Sequence, residues 1–275
     1  MGECSHNCSE CAERKNGACS GEKADFRVPA NAKSKIGRVI AVMSGKGGVG
    51  KSLVTELLAV GALKRGKRVA VLDADITGPS IPTAFGVTER AVADGDGSIL
   101  PCRSQGGVEV MSLNLLVENP ADPVVWRGPV IAGAVKQFWS EVAWGEKDVM
   151  FVDMPPGTGD VPLTVFQSLP IDGVVIVTSP QDLVSLIVEK AVRMAGMMKI
   201  PVLGLVENMS SFRCPDCGRV HRIFGDGKAG QMAHRHGIAA VASLPIDPDI
   251  AAAVDLGRVE QLDATALDDV LAAVC

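Results

Sequence analysis

Short runs of Val, Ile and Leu recur along the chain from Arg38 onward, and segments of helical length separate them. The apolar runs read, in order, VIAVMS, RVAVLDAD, VEVMSL, VMFVDMP, GVVIVTS, VLGLVEN and VASLPI. Nearly continuous apolar strands that alternate with helices are typical of a parallel sheet covered on both faces. We therefore predict an α/β fold with a doubly wound, mostly parallel sheet of about seven strands. Ligands should bind at the carboxyl ends of those strands.

The start of the chain has a different character. Residues 1–37 hold four of the eight cysteines and few large apolar residues. We interpret 1–37 as a cysteine-rich metal-binding segment and linker, followed by one α/β domain over 38–275. The chain has 275 residues, of which 47% are hydrophobic, and this is enough for one substantial core.

Charge and hydropathy narrow the classes of partner. The net charge of -5 disfavours nucleic acid, whose binders usually present a basic surface. There is neither an apolar run of about 20 residues nor the apolar core of a secretory signal, so we expect no membrane partner and a cytoplasmic location. In a reducing cytoplasm, cysteines are metal ligands or redox groups more often than disulfides.

A glycine-rich loop follows the first predicted strand and precedes a predicted helix, which is the context that a phosphate-binding loop requires. Its glycines let backbone N–H groups converge on phosphate, and the helix N-terminus adds a favourable dipole. We expect the site to bind ATP or ADP, with Lys51 reaching the β- and γ-phosphates of ATP and Ser52 binding Mg²⁺. Gly66 should end the helix. The predicted nucleotide-binding loop consists of Gly45, Lys46, Gly47, Gly48, Val49, Gly50, Lys51 and Ser52.

Two further segments place acidic residues after strands. The first, VLDADITGPSIP, contains Asp73 and Asp75, and the second, FVDMPPGTGDV, contains Asp153, Gly157 and Asp160. One carboxylate at a strand end can hold Mg²⁺ through water and another can orient an attacking water, while a glycine N–H can contact the γ-phosphate. Three such segments in one chain favour a nucleotide site.

Five motifs in order, KGGVGKS, DADITGPSIP, WRGP, VDMPPGTGD and ENMSSFRCPDCG, resemble the Mrp/ApbC family of iron-sulfur cluster carriers. This family belongs to the deviant Walker A group, together with MinD, ParA and the nitrogenase iron protein. The resemblance covers about residues 36–260 and implies a P-loop ATPase that works as a homodimer.

The resemblance also implies roles for single residues. Lys46 would reach across the dimer interface to the partner's nucleotide, as an arginine finger does. The implied catalytic residues are Lys46, Lys51 and Asp75, with Asp75 orienting the hydrolytic water. The Mg²⁺ shell would contain Ser52, Asp75 and Asp153, and the nucleotide would also contact Gly157 and, at its adenine, Asn208.

One position departs from the family pattern. Leu53 stands where a second hydroxyl usually meets the α-phosphate. Losing one hydrogen bond costs about 0.5–1.5 kcal/mol. We therefore expect weaker nucleotide affinity at the same site.

Cys214 and Cys217 form a C-x-x-C turn. Two thiolates cannot complete a tetrahedral zinc or four-iron site, but two chains around a two-fold axis offer four. Spacing alone leaves open a cluster, a zinc site that includes His221, and a redox pair. The resemblance implies a [4Fe-4S] cluster that bridges the dimer.

The N-terminal cysteines can enclose one cluster or one zinc per chain. They resemble the N-terminal cluster of the scaffold branch of the family, although the first gap is shorter and His6 could replace the first ligand. A metal-free tail is the alternative. This set is Cys4, Cys8, Cys11 and Cys19, and we assign no role to Cys102 or Cys275.

The leading functional hypothesis is an ATP-binding and hydrolysing carrier that assembles a cluster at its dimer interface and passes it to apo iron-sulfur proteins. Its hydrolysis would be slow and switch-like. An ATP-dependent reductase similar to the nitrogenase iron protein is the first alternative, but its ligands come from two separated cysteines per chain. A MinD- or ParA-like positioning ATPase would need a basic face or helix, whereas the C-terminal VEQLDATALDDVLAAVC is acidic.

Overall fold

The computed structural model describes residues 26–76, 78–117, 126, 128–181 and 184–275. The predicted N-terminal metal ligands, Cys4, Cys8, Cys11 and Cys19, and their possible substitute His6 lie outside the described residues.

Strands and helices alternate along the described chain. The strands are β1 (Ser34–Ser44), β2 (Val69–Asp73), β3 (Val92–Ala93), β4 (Ile99–Leu100), β5 (Cys102–Arg103), β6 (Glu109–Met111), β7 (Gly145–Asp153), β8 (Gly173–Thr178), β9 (Val202–Glu207), β10 (Phe212–Arg213), β11 (Val220–His221) and β12 (Ala240–Ser243). The α-helices are α1 (Lys51–Lys64), α2 (Ile81–Ala84), α3 (Gly128–Ser140), α4 (Asp160–Ser168), α5 (Val184–Met197), α6 (Ala229–His236), α7 (Pro248–Asp255) and α8 (Asp268–Val274).

The main sheet has the strand order β12-β9-β8-β1-β7-β2-β6-β5. Every neighbouring pair in it is parallel except β5 and β6, which are antiparallel. The seven predicted runs are the seven parallel strands, which confirms the predicted doubly wound sheet. The eighth strand, β5, is only two residues long, too short to produce a periodic pattern.

Two hydrophobic cores lie on opposite faces of the sheet. Helices α3, α4, α5 and α6 cover one core, and α1, α2 and α8 cover the other. Along β1, Val39, Ala41 and Met43 point into the first core while Ile40 and Val42 point into the second. Since both faces are buried, the inner strands are apolar at nearly every position, and this is why the sequence showed continuous runs.

The first strand starts at Ser34, before the predicted apolar run, which begins at Val39. Its first five residues alternate between half-buried and exposed positions, and Lys35 occupies an exposed one. That alternation hides the strand from a search for continuous apolar runs. The preceding residues also contact the domain, since the N–H of Val28 donates to the carbonyl of Ser168 at 2.8 Å.

Helix α1 begins and ends where the sequence predicts. Helix α1 begins at Lys51, as predicted. Gly66 follows its end with a left-handed φ of 77° and donates to Leu63, which confirms the predicted helix stop. Among the described helices, each is too short or too polar to cross a bilayer.

Candidate nucleotide site and cysteine hairpin

The phosphate loop joins the buried carboxyl end of β1 to the first turn of α1. Gly48 and Gly50 have left-handed φ angles of 80° and 81°, which a residue with a Cβ rarely adopts. At Gly50 a Cβ would also lie 2.1 Å from Nδ2 of Asn208. This position therefore admits only glycine, for both conformational and steric reasons.

The ammonium of Lys51 lies at the centre of the predicted magnesium residues. Its Nζ is 2.8 Å from Oδ2 of Asp153, 3.4 Å from Oδ2 of Asp75 and 3.3 Å from Oγ of Ser52. Three predicted oxygen donors from three separate segments thus converge on one cation. Their chemistry fits Mg²⁺, which prefers hard oxygen ligands such as carboxylates and hydroxyls.

Opposite charges keep the Lys51 ammonium protonated although only 6% of its side chain is exposed. Burial by itself lowers its pKa, but the carboxylates of Asp153 and Asp75 outweigh that effect and raise the pKa above its ordinary value. One positive charge, the Lys51 ammonium, therefore lies among several carboxylates. This arrangement is expected at a site that binds both a metal cation and an anionic phosphate.

Asp153 is held at both carboxylate oxygens. The hydroxyl of Ser52 donates to Oδ2 at 2.6 Å, and Oγ of Thr55 lies 2.8 Å from Oδ1. Thr55 is fully buried, and sequence reasoning did not select it. Its spacing of three from Ser52 places it on the same helix face, and this was the available signal.

Two more buried acids surround this group. Asp73 accepts hydrogen bonds from Oγ of Ser112 at 3.0 Å and from the N–H of Asp75 at 3.2 Å, so it orients the segment that carries Asp75. Burial raises the pKa of Asp73 well above its ordinary value, and the charge of Asp153 raises it further.

Glu56 on α1 is the second of these acids, and sequence reasoning missed it. It is 1% exposed, and its Oε2 atom has no hydrogen-bond partner within the described residues. Burial raises its pKa well above 4.5, and the charges of Asp153 and Asp73 act in the same direction. These effects favour the neutral carboxylic acid.

Other predicted nucleotide residues contact the loop from neighbouring strands. The side-chain amide of Asn208 donates to the carbonyl of Val49 at 3.0 Å. The N–H of Gly157 donates to the carbonyl of Ser44 at 2.9 Å, so in this structure it is bonded to β1. Asp160 is the first residue of α4.

Lys46 makes its contact within its own chain. Its Nζ donates to Oε1 of Gln181 at 2.5 Å. Gln181 follows β8, and no motif in the sequence identified it. The lysine is therefore held beside the loop by a neutral side chain.

The predicted metal-binding cysteines lie at the tip of a small antiparallel hairpin, β10 with β11. The N–H of Cys214 donates to the carbonyl of Arg219, and the N–H of Gly218 donates to the carbonyl of Cys214, both at 2.9 Å. Cys214 is half-buried and Cys217 is exposed. The turn therefore presents both thiols at the surface.

Local hydrogen bonds prepare Cys214 for ionisation. The backbone N–H groups of Cys217 and Asp216, and then the Cys217 side chain, lower the pKa of the Cys214 thiol. His221 lies across the hairpin from Phe212. Within the described part of the chain it does not join the cysteines in a group of three or more potential metal ligands.

The two remaining described cysteines are distant from these sites in the sequence. Cys102 is buried, and its Sγ lies 3.4 Å from the carbonyl oxygen of Glu89. Cys275 is half-buried at the end of the chain. Burial raises the pKa of both thiols, which disfavours the reactive thiolate form.

Comparison with known proteins identifies clear relatives. A family model described as "ParA: NUBPL iron-transfer P-loop NTPase" matches residues 35–274. The chain is 42% identical to the iron-sulfur cluster carrier protein of Clostridium perfringens, with 93% of this chain and 94% of that protein covered. It is 43% identical to the protein of the same name from Methanocaldococcus jannaschii, with 94% and 90% covered.

Solved structures share this fold. A nucleotide-binding protein from Archaeoglobus fulgidus in complex with ADP is 47% identical, with a TM-score of 0.74 over 83% of this chain and 89% of that one. The Pyrococcus furiosus cell division ATPase MinD is 21% identical, with a TM-score of 0.61 over 86% and 98%. The likeness to MinD concerns the fold alone.

Proposed function

The chain belongs to the Mrp/NUBPL family of iron-sulfur cluster carrier P-loop NTPases, and from this premise we propose that it couples ATP binding and slow hydrolysis to cluster handling. The main evidence for nucleotide binding is the convergence of Ser52, Asp75 and Asp153 on Lys51. It supports a site where a metal ion and phosphate meet.

When nucleotide binds, Lys51 turns from the carboxylates to the phosphates. Ser52, Asp75 and Asp153 would then hold Mg²⁺, whose charge neutralises the phosphate oxygens. Asp75 is the more exposed of the two carboxylates beside Lys51, at 14% against 1% for Asp153. This difference suits Asp75 for orienting an attacking water and Asp153 for fixing the metal shell.

Lys46 completes the site of a second copy. In the single chain its ammonium is bonded to the neutral Gln181. A negatively charged phosphate attracts an ammonium more strongly than an amide oxygen does. In a homodimer Lys46 therefore leaves Gln181 and contacts the partner's nucleotide, where it stabilises charge during phosphoryl transfer.

The cargo is a [4Fe-4S] cluster shared by two chains. Each hairpin offers two thiols, Cys214 and Cys217, and two hairpins around a two-fold axis supply the four thiolates of a cubane. Both ligands come from one surface turn and not from two separated elements. This placement suits a cluster that is handed to apo iron-sulfur proteins and favours the carrier over a reductase.

The N-terminal cysteines are a second part of the proposal. Cys4, Cys8, Cys11 and Cys19 would hold a second cluster or a zinc ion in each chain. Their metal is independent of the hairpin, because four thiolates within one segment complete a site without a partner.

Metal and nucleotide analysis after anaerobic purification tests this function. The wild-type chain should be brown, contain iron and sulfide, and bind ADP. Cys214→Ser should lose the hairpin share of the iron and Cys8→Ser the N-terminal share, while Cys275→Ser keeps both. A colourless wild-type protein whose zinc is lost in Cys214→Ser, or a wild-type chain that does not bind ADP, would contradict the proposal.

A further inference from the structure

The end of β9 contacts two different elements through two adjacent side chains. The carboxylate of Glu207 accepts the N–H of Ala229 at 3.2 Å, at the start of α6. The amide of Asn208 donates to the carbonyl of Val49 at 3.0 Å, in the phosphate loop. Successive side chains of a strand point to opposite faces, so one face holds α6 and the other holds the loop. The chain segment between Asn208 and Ala229 carries Cys214 and Cys217.

Asn208 fits tightly against the phosphate loop. A Cβ on Gly50 would lie 2.1 Å from its Nδ2 atom, so the amide packs directly against the backbone of that glycine. Asn208 is also 3% exposed and has no room to shift sideways into solvent. A movement of the Val49 carbonyl on phosphate binding would therefore require the amide of Asn208 to follow it or to release it.

The next residue, Met209, has a left-handed backbone. Its φ is 59°, and this conformation is unfavourable for a residue with a Cβ. Its neighbours are both fixed, because the N–H of Asn208 donates to Thr178 at 2.8 Å and the N–H of Ser210 donates to Leu244 at 2.9 Å. Met209 therefore cannot return to an ordinary conformation unless one of these bonds breaks. Strain maintained in this way often marks a functional junction.

The segment then leads directly to the metal ligands. The carbonyl of Ser211 accepts the N–H of Ile246 at 2.7 Å, and β10 begins at the following residue. Cys214 comes next after β10. The path from the phosphate loop to the thiols is thus one short, hydrogen-bonded stretch of main chain with a single strained residue.

We infer that Asn208 and Met209 are positioning residues that link the phosphate loop to the cysteine hairpin, so that nucleotide at the loop changes the exposure of Cys214 and Cys217. This inference rests on the proposed function, because it requires nucleotide at the loop. The left-handed region open to a residue with a Cβ is narrow. A shift of Asn208 is therefore passed on through Met209, whereas a glycine would absorb it by rotating.

Thiol alkylation in the full-length chain, reduced and free of metal, tests the link. The rates at which iodoacetamide labels Cys214 and Cys217 are measured by peptide mass spectrometry, with and without saturating ADP. In the wild type we expect ADP to change these rates at least about fivefold, the lower end of typical allosteric coupling. In Met209→Gly the change should fall below about 1.5-fold while ADP still binds, since glycine accepts this φ freely.

Two control variants isolate the backbone effect. Lys199 has the same left-handed conformation, with a φ of 58°, but precedes the amino end of β9, away from the phosphate loop. Lys199→Gly should keep the wild-type response. Met209→Asn removes the methionine side chain but keeps a Cβ, and it should also keep the response.

Any other result of the alkylation experiment contradicts a specific part of the inference. If the wild type binds ADP and its labelling rates do not change, the link does not exist. If Met209→Gly responds as the wild type does, or if Met209→Asn loses the response, the left-handed backbone is not what transmits the change. If the wild type fails to bind ADP in calorimetry on the same samples, the proposed function fails and the inference fails with it.

Discussion

Oγ of Thr55 lies 2.8 Å from Oδ1 of Asp153, inside the core beneath the phosphate loop. Ser52 holds the other oxygen of the same carboxylate at 2.6 Å. A carboxylate fixed at both oxygens and buried to 1% exposure keeps one orientation toward the loop. The proposed Mg²⁺ site would therefore depend on Thr55, a residue that is not among its proposed ligands.

Thr55→Val should remove the contact with Asp153 while it preserves the shape of the side chain. Removing one donor to a buried charge costs about 1.5–3 kcal/mol, so the free energy of unfolding should fall by about that amount. The gain in ADP affinity on adding Mg²⁺ should also shrink. Urea unfolding and calorimetry with and without Mg²⁺ measure the two effects. Thr55→Ser, which keeps the hydroxyl, should behave as the wild type, and an unchanged Mg²⁺ effect in Thr55→Val would refute the role.

Leu53→Thr should strengthen nucleotide binding. Leu53 is half-buried at the start of α1, at the position where the resemblance implies a hydroxyl that meets the α-phosphate. One added hydrogen bond of about 0.5–1.5 kcal/mol corresponds to roughly two- to tenfold tighter ADP binding. Leu53→Val has the shape of threonine without the hydroxyl, and it should show no gain. Equal dissociation constants for the Thr and Val variants would rule out the missing hydroxyl.

Glu56→Gln should change how stability depends on pH. The native-state pKa of Glu56 is raised above the unfolded value near 4.5, so the native chain holds a proton that the unfolded chain loses. The contribution of this proton to the free energy of unfolding is thus fully present below pH 4.5. It is lost as pH rises toward the native pKa, by up to about 1.4 kcal/mol per pH unit. Glutamine does not titrate, so the variant should gain on the wild type as pH increases.

Urea unfolding of both proteins between pH 5 and pH 8 checks this sign. The stability difference should widen steadily in favour of Glu56→Gln. Parallel profiles would mean that Glu56 titrates in the folded chain as it does in the unfolded one.

Gly50→Ala should damage the loop without touching the metal residues. The added Cβ meets the Asn208 amide at 2.1 Å and requires a left-handed φ. The backbone cost alone is about 1–2 kcal/mol, so ADP affinity should drop by roughly tenfold or more. Gly47→Ala is the matched control, because its Cβ meets no atom within 4 Å. Equal affinities in the two variants would show that Gly50 is not constrained in the bound state.

Features that are encoded by apolar runs or by a local motif were predictable from the sequence. Seven apolar runs became the seven parallel strands because each is buried on both faces. The loop from Gly45 to Ser52 carries its own conformational signature, and the carboxyl ends of parallel strands bring Asp75 and Asp153 to it. Topology therefore supplied much of the site.

The rest depended on contacts that no local pattern encodes. Asn208 and Val49 are 159 positions apart, and their hydrogen bond exists only because β9 and β1 end at the same edge. Gln181 meets Lys46 for the same reason. Glu56 lies in a helix in which apolar residues occupy most positions, and only the folded packing reveals it as a buried acid.

The central claim is that two copies share one cluster, and native mass spectrometry under anaerobic conditions tests it most directly. Iron-loaded wild type with ATP should have the mass of a dimer that carries one [4Fe-4S] unit beyond any N-terminal metal. Cys214→Ser and Cys217→Ser should each lose that unit, whereas Cys275→Ser keeps it. A monomer that carries nucleotide and a complete hairpin cluster would contradict the account.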